Sequence, residues 1–357
     1  MAAHESVLEE WRERVARAVR AVVPLRLRGA GTKDFYGEAL AGELLELRDW
    51  RGIVDYEPSE LVITVRCGTP LSEVESALAA QGQFLAFEPP ALGADPTIGG
   101  VIAAGLSGPR RMFAGAARDF VLGTRLLTAQ GELLRFGGQV MKNVAGFDLS
   151  RLLCGSLGIL GVITEVSLKV LPRPRLEETL RLELPANEAV AAFNRWAGLP
   201  LPLSGAAWSQ GGAWVRLSGA PAAVRSARLQ IGGDLVAAPR AESFWNALRH
   251  GQLPILAAES VWRLSVPPAT APLALPGEPL IDWGGALRWY ADVPAEVAPR
   301  DLARAAQGTA LRWRGPAPSG ESRFHPLPPA IATLHRRLKE RFDPAGIFNP
   351  GRLITGL

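Results

Sequence analysis

The sequence predicts an α+β protein built in two parts, and three observations carry that reading. Strand, turn, strand and helix follow one another between Ile53 and Gly82, an order in which neighbouring strands pair directly. From Val162 to Val170, the residues Val162, Thr164, Val166, Leu168 and Val170 alternate with Glu165, Ser167 and Lys169. That is the pattern of a half-buried strand in an antiparallel sheet. Leu171-Pro172-Arg173-Pro174 then interrupts the chain, and short strands and helices alternate anew beyond it. At 357 residues the chain is long enough for two such parts and a sizeable core.

Taken in order, Val7, Leu8, Trp11, Val15, Ala18, Val19 and Val22 recur at the spacing of an amphipathic helix. Its other face mixes Glu9, Glu10 and Glu13 with Arg12, Arg14 and Arg17, whereas a membrane-surface helix is more uniformly basic. Docking on its own domain is therefore expected. Pro24 to Arg28 reads as a short strand entering the turn Gly29-Ala30-Gly31-Thr32-Lys33. Ile53–Tyr56 and Leu61–Arg66 are strands around Glu57-Pro58-Ser59-Glu60. A helix follows, with Thr69 as N-cap, Pro70 at its first position, Leu71, Val74, Ala77 and Leu78 as its apolar face, and Gly82 as its end. Pro96 to Pro109 is too rich in glycine for an ordinary core helix and reads as a loop. Phe120–Thr128 and Glu132–Phe136 form a hairpin across Gln130-Gly131, and Gly137 to Asp148 is a second glycine-bearing loop.

Beyond Pro174, helices are expected at Asn187–Ala197, Ala222–Leu229 and Ala241–Arg249, and strands at Ala213–Leu217, Val261–Val266 and Ala286–Tyr290. Trp208, Trp214, Trp245, Trp262, Trp283 and Trp289 fall in this part and read as core, given the area each buries. A last helix is expected over Ala330–Arg341, after the proline-rich stretch Pro316–Pro329.

The bulk numbers exclude several classes. A net charge of +4 without blocks of like charge is no nucleic-acid footprint. No apolar run approaches the roughly 20 residues that span a bilayer, and the polar, acidic start is not a secretory signal. Cys67 and Cys154 lack the spacing of a disulfide, zinc or iron–sulfur framework and read as buried, reduced thiols of a cytoplasmic protein.

The chemistry is concentrated in glycine. Gly29-Ala30-Gly31 turns successive N–H groups into one anion-binding concavity, with Thr32 as a hydroxyl donor and Lys33 as a point charge. It lacks the full GxGxxG and its helix, which disfavours a nicotinamide site. Pro96–Pro109 and Cys154-Gly155-Ser156-Leu157-Gly158-Ile159-Leu160-Gly161 add two more glycine-dense passages. Glycine at this density marks positive φ or close backbone approach, and the partner read from it is the diphosphate and ring system of FAD.

The order of Arg28-Gly29-Ala30-Gly31-Thr32, Pro96–Gly108, Gly155–Val170 and the terminal Asp343-Pro344-Ala345-Gly346-Ile347-Phe348-Asn349-Pro350-Gly351 resembles FAD-linked oxidases of the vanillyl-alcohol oxidase and p-cresol methylhydroxylase type. Gly137–Leu152, Gly105–Arg111 with Arg118-Asp119, and Asp282–Trp289 resemble more narrowly the FAD-binding subunits of bacterial glycolate oxidase. The resemblance implies an FAD-binding domain of residues 1–172, a smaller α+β cap of 173–315, and a segment of 316–357 returning to the first domain. It implies that Arg28, Gly29, Ala30, Gly31, Thr32 and Lys33, together with Pro96, Thr97, Ile98, Gly99, Gly100, Ala103, Gly105, Ser107 and Gly108, hold the diphosphate. Gly161, Val162 and Ile163 would contact the adenosine half, and Asn349 would approach the flavin.

Departures from the family narrow the expectation. The first loop carries no histidine for covalent attachment, so FAD is expected to be held non-covalently. The turn Gly155-Ser156-Leu157-Gly158 differs from the Gly-Ser-Glu-Gly of relatives that oxidise 2-hydroxy acids themselves, and His250 and His325 form no cluster, so no metal is expected. Arg110, Arg111, Lys142, Arg263 and Arg288 are candidate cations for a carboxylate, and no general base can be assigned. The expected role is thus the FAD-binding subunit of a complex oxidising glycolate or another small 2-hydroxy acid. Its partners would be a second flavin subunit and an iron–sulfur subunit, met through the Arg110-Arg111 corner or the Trp/Arg strands of the cap. Membrane contact would come only through those partners, at the inner face of the cell membrane. A free-standing dehydrogenase and a flavin-free scaffold are the alternatives.

Overall fold

The computed structural model describes residues 2–138, 148–318 and 320–356. Helix Ala2–Ala21 places Trp11, Val15 and Ala18 in a buried cluster with Leu25, Leu45, Trp50 and Phe348, so it does dock on its own chain. Val22 departs from the expected face: it turns to φ 53° just past the helix and is 70% exposed.

Strand Leu25–Arg28 pairs in parallel with Glu43–Glu46. On its other side the C-terminal segment returns to it: Leu25 N donates to Ile347 O at 2.6 Å, and Asn349 N donates to Leu25 O at 3.0 Å. The strand that feeds the first glycine turn is therefore held between two sequence-distant segments.

A five-stranded antiparallel sheet follows, in the order Ile53–Glu57, Val62–Arg66, Val162–Lys169, Val121–Leu127, Leu133–Gly137. Val162–Lys169 is its central strand: Val162, Thr164, Val166 and Leu168 are buried on one face, while on the other Glu165 and Lys169 are half-buried and Ile163 and Ser167 are buried. Ser167 meets Thr64 there, hydroxyl to hydroxyl at 2.8 Å, so a polar side chain is buried with its partner. Pro70, not Thr69, occupies the N-cap position of helix Leu71–Ala80, without a side-chain capping bond. The Thr69 hydroxyl instead donates to Arg66 O at 2.7 Å and accepts from Gly52 N at 2.9 Å.

The passage expected to be a loop contains a seven-residue helix, Ile98–Ala104, capped by the Thr97 hydroxyl. Its two glycines are tolerated because the helix is packed rather than exposed. Ile98, Val101 and Ile102 are buried in the core under the sheet, and a Cβ on Gly99 would lie 2.6 Å from Cys67 Cβ.

Beyond Pro172 lies an eight-stranded sheet: Asp234–Val236, Leu176–Glu183, Gly212–Gly219, Leu203–Ser209, Leu280–Asp282, Leu287–Ala291, Val261–Ser265, Thr309–Arg314. Helices Ala186–Ala197 and Pro221–Ile231 bury Phe193, Trp196 and Val224 in the cluster that also holds Trp208 and Val215. All six tryptophans named from the sequence are buried, which removes them from any exposed partner surface. Arg110 is buried too, ion-paired to Glu88 and to Glu177 of the eight-stranded sheet, so of the expected Arg110-Arg111 corner only Arg111 is partly exposed. Helix Pro329–Phe342 closes the chain, its Lys339 Nζ donating to Asp343 Oδ2 and to the carbonyls of Ile159 and Phe348.

Candidate functional site

Three sequence-distant passages converge on one open cleft. Arg28, Gly29, Ala30, Gly31, Thr32 and Lys33 form one wall. Pro96, Thr97, Gly99, Gly100 and Ala103 form the second, and Gly161, Ile163 and Asn349 contribute to the third. The walls nearly touch at the base, where a Cβ on Gly29 would lie 2.2 Å from Thr97 Oγ1. Only glycine fits that position.

The amides divide sharply between the two glycine-rich walls. Those opening the helix are already engaged: Ile98 N donates to Thr69 O at 2.9 Å, Gly99 N to Cys67 O at 2.8 Å, and Gly100 N to Thr97 Oγ1 at 3.3 Å. Among the described residues, the five successive amides of Gly29 to Lys33 donate to no protein acceptor. Half-buried N–H groups need acceptors, and an anionic ligand in the cleft supplies them. Gly100 keeps the second wall low, since a Cβ there would meet only Thr97 Oγ1 within 4 Å, at 3.3 Å. The expectation that every glycine serves the ligand is thus too broad. Gly99 and Gly105 serve internal packing, a Cβ on Gly105 lying 2.9 Å from Gly155 Cα.

Asn349 joins the walls. Its Oδ1 accepts from Leu27 N at 2.8 Å and its Nδ2 donates to Leu157 O at 2.7 Å. A Cβ on Gly158 would lie 2.8 Å from that Nδ2, which accounts for glycine at φ +73° there. The amide of Asn349 is therefore occupied with positioning backbone. Lys33 Nζ donates to Thr32 Oγ1 and Ala91 O, both at 3.2 Å, and burial pushes its pKa down to about 8. Arg28 Nε lies 2.9 Å from Asp34 Oδ2.

Five expected residues do not line this cleft. Ile98 and Val162 are wholly buried in the core, Gly105 caps its helix at φ +63°, and Ser107 and Gly108 face a second, smaller pocket. Sequence reasoning missed Leu27, Asp34, Leu40, Leu47, Cys67, Ala104, Leu157, Gly158 and Arg352. Leu157 and Gly158 stood in a passage already marked as glycine-dense. Arg352 carried no local signal, because its role depends on contacts more than 300 positions away.

The second pocket lies between the Leu106–Pro109 segment and the eight-stranded sheet, where Ser107 and Gly108 meet Arg263, Asp282 and Trp289. Arg263 sits over the rings of Trp283 and Trp289, 5.2 and 5.6 Å from their centroids. Burial raises the Asp282 pKa to about 7, although its Oδ1 accepts from Trp283 N at 2.7 Å. Among the candidate cations, Arg263 shares one face of the sheet with Trp289 through their register. Arg288, one residue along, points to the other face, where its guanidinium holds the carbonyls of Thr270, Ala271 and Gly285. Arg111 lies over Trp283 at 4.2 Å. Lys142 and most of the Gly137–Asp148 loop lie outside the described residues. His250 Nδ1 accepts from Ala91 N and His325 Nδ1 from Ala310 N, and burial lowers the pKa of both.

Comparisons with known proteins agree with this geometry. Residues 7–137 match a family model described as an FAD binding domain. The chain is 46% identical over 346 residues to the glycolate oxidase subunit GlcE of Escherichia coli, covering 97% of each chain. It is 34% identical over 160 residues to the glycolate oxidase subunit GlcD of Bacillus subtilis, covering 44% of this chain and 34% of that one. Two structures of alkyldihydroxyacetonephosphate synthase share the fold at 16% identity, with TM-scores of 0.64 and 0.66 over 96% of this chain and 74% and 75% of those. The expected α+β, p-cresol methylhydroxylase-type class therefore holds. Among the described residues no helix is long and apolar enough to cross a membrane. The chain belongs to the glycolate oxidase subunit GlcE family of FAD-linked oxidoreductases.

Proposed function

We propose that this chain is the subunit that holds FAD non-covalently in a complex oxidising glycolate to glyoxylate. It would work beside a second flavin subunit and an iron–sulfur subunit. The observation that carries the proposal is the run of five amides, Gly29 to Lys33, that line the cleft and have no protein acceptor among the described residues. In this reading those amides bind the diphosphate, and Gly100 and Ala103 let it approach the second wall. Gly161 and Ile163 bound the far end of the cleft, and Asn349 fixes the distance between its walls. FAD, when bound, supplies the two-electron acceptor for hydroxy-acid oxidation. The protein's own contribution is to bind, orient and exclude water. We further propose the division expected from the sequence: residues 1–172 with 316–357 as the FAD domain and 173–315 as a cap. The two sheets, and the return of residues 347–349 to strand Leu25–Arg28, support it.

A second reading, a chain that oxidises the hydroxy acid itself, is favoured by one observation. The pocket against the eight-stranded sheet offers Arg263 as a cation for a carboxylate and Asp282, with its pKa raised to about 7, as a base. The two readings separate in one experiment. Glycolate added to the isolated flavoprotein reduces the flavin in the second reading, and does so only with the partner subunits present in the first.

A further inference from the structure

Resting on the FAD reading, we infer that Arg352 is a positioning residue for the cofactor's diphosphate, a role the sequence pattern gives to Lys33. Its guanidinium donates to Glu38 O through Nη1, and through Nη2 to Lys33 O at 3.1 Å and Asp34 O at 2.9 Å. Three carbonyls at the exit of the glycine turn thus converge on one buried cation. They fix where the chain leaves the cleft, and among the described residues the five amides of Gly29 to Lys33 have no protein acceptor. The approach is reciprocal, Glu38 N donating to Arg352 O at 3.0 Å. Gly37 makes it sterically possible: at φ +99°, a Cβ there would lie 2.9 Å from Arg352 O.

Charge points the same way. Arg352 is 5% exposed, lines the cleft, and among the described residues has no carboxylate in an ion pair with it. The nearby acids are committed elsewhere: Asp34 to Arg28, and Glu38 Oε1 to Ser322 Oγ at 2.6 Å and Arg323 N at 2.7 Å. Burial works against the Arg352 charge while the Asp34 and Glu38 carboxylates support it without ion-pairing, and the guanidinium, bonded to carbonyls, lines the cleft that an anion would enter. Lys33, whose pKa burial lowers to about 8, is the weaker cation at neutral pH and above.

The test uses the full-length protein, stripped of flavin and titrated with FAD by flavin fluorescence. R352A is expected to fold and to lose about 10- to 100-fold in FAD affinity, the range for hydrogen bonds from a charged group. Millimolar guanidinium ion, which fits the vacated space, is expected to restore affinity to within about threefold of wild type, while methylammonium does not. A lesion that merely loosens the fold is not repaired by a denaturant cation, so failure of rescue in folded R352A overturns the inference. So does R352A binding FAD within about threefold of wild type, or K33A losing more affinity than R352A. Where R352A fails to fold, R352K keeps the charge but not the planar fork and is expected to bind about 10-fold more weakly; unchanged affinity overturns the inference. A wild-type protein that takes up no FAD refutes the cofactor reading itself, a result distinct from all of these.

Discussion

Replacing Asn349 by alanine cuts the link between two walls of the cleft, at Leu27 and Leu157, which one side chain joins. The side chain is 5% exposed, accepts from Leu27 N at 2.8 Å and donates to Leu157 O at 2.7 Å. Alanine deletes both hydrogen bonds and leaves a buried carbonyl and a half-buried amide without partners. At about 1–3 kcal/mol for an orphaned buried group, and less for the amide that recovers water, the expected loss is about 2–4 kcal/mol. Denaturant unfolding of the flavin-free protein, followed by tryptophan fluorescence, reads this as a lower midpoint at unchanged slope. N349D sharpens the test. The carboxylate still accepts from Leu27 but offers no proton to Leu157, so it is expected to cost at least as much. FAD affinity should fall in both variants, because the spacing of the walls is lost. A midpoint for N349A equivalent to less than about 0.5 kcal/mol of destabilisation refutes the clamp.

Three further expectations follow from named contacts. G29A puts a Cβ 2.2 Å from Thr97 Oγ1, so the walls must part; FAD affinity should fall steeply, and unchanged affinity contradicts the close approach. Asp282 titrates near 7 when folded against 3.8 when unfolded. The folded state therefore holds the extra proton between those values. Its contribution to stability is complete below the unfolded value and is lost as pH rises through 7, at up to about 1.4 kcal/mol per pH unit. D282N should flatten the stability–pH profile in that window, and an unchanged slope refutes the assignment. Burial pushes up the thiol pKa of Cys67, and that of Cys154 to about 12, so neither should react with a thiol reagent at pH 8 until the protein unfolds. Rapid labelling of the native protein contradicts the packing.

How far the sequence reached depended on how local the cause was. The first glycine turn was legible because Gly29, Ala30 and Gly31 act through their own backbones. The N-terminal helix was legible because Trp11, Val15 and Ala18 lie on one stripe. The helix Ile98–Ala104 was hidden, since propensity condemns its two glycines while packing of Gly99 on Cys67 retains them. Thr69 read as a cap because it precedes a proline and an apolar run, but its hydroxyl found Gly52 and Arg66 instead. Arg288 and Arg263 looked equivalent in the sequence. Only strand register shows that Arg263 shares its face with Trp289, on the side of the pocket lined by Ser107 and Gly108, and that Arg288 does not. Arg352 was invisible for the same reason on a larger scale, because three carbonyls between positions 33 and 38 give it meaning.

The most direct measurement is the visible spectrum of the purified chain, before and after FAD is added and then on addition of glycolate. A cleft whose unpaired amides hold the diphosphate predicts flavin absorbance that co-purifies or is restored by FAD. A partner-dependent subunit predicts that glycolate bleaches this absorbance only when the other subunits are present. A colourless protein that cannot be reconstituted with FAD would contradict the reading of the cleft.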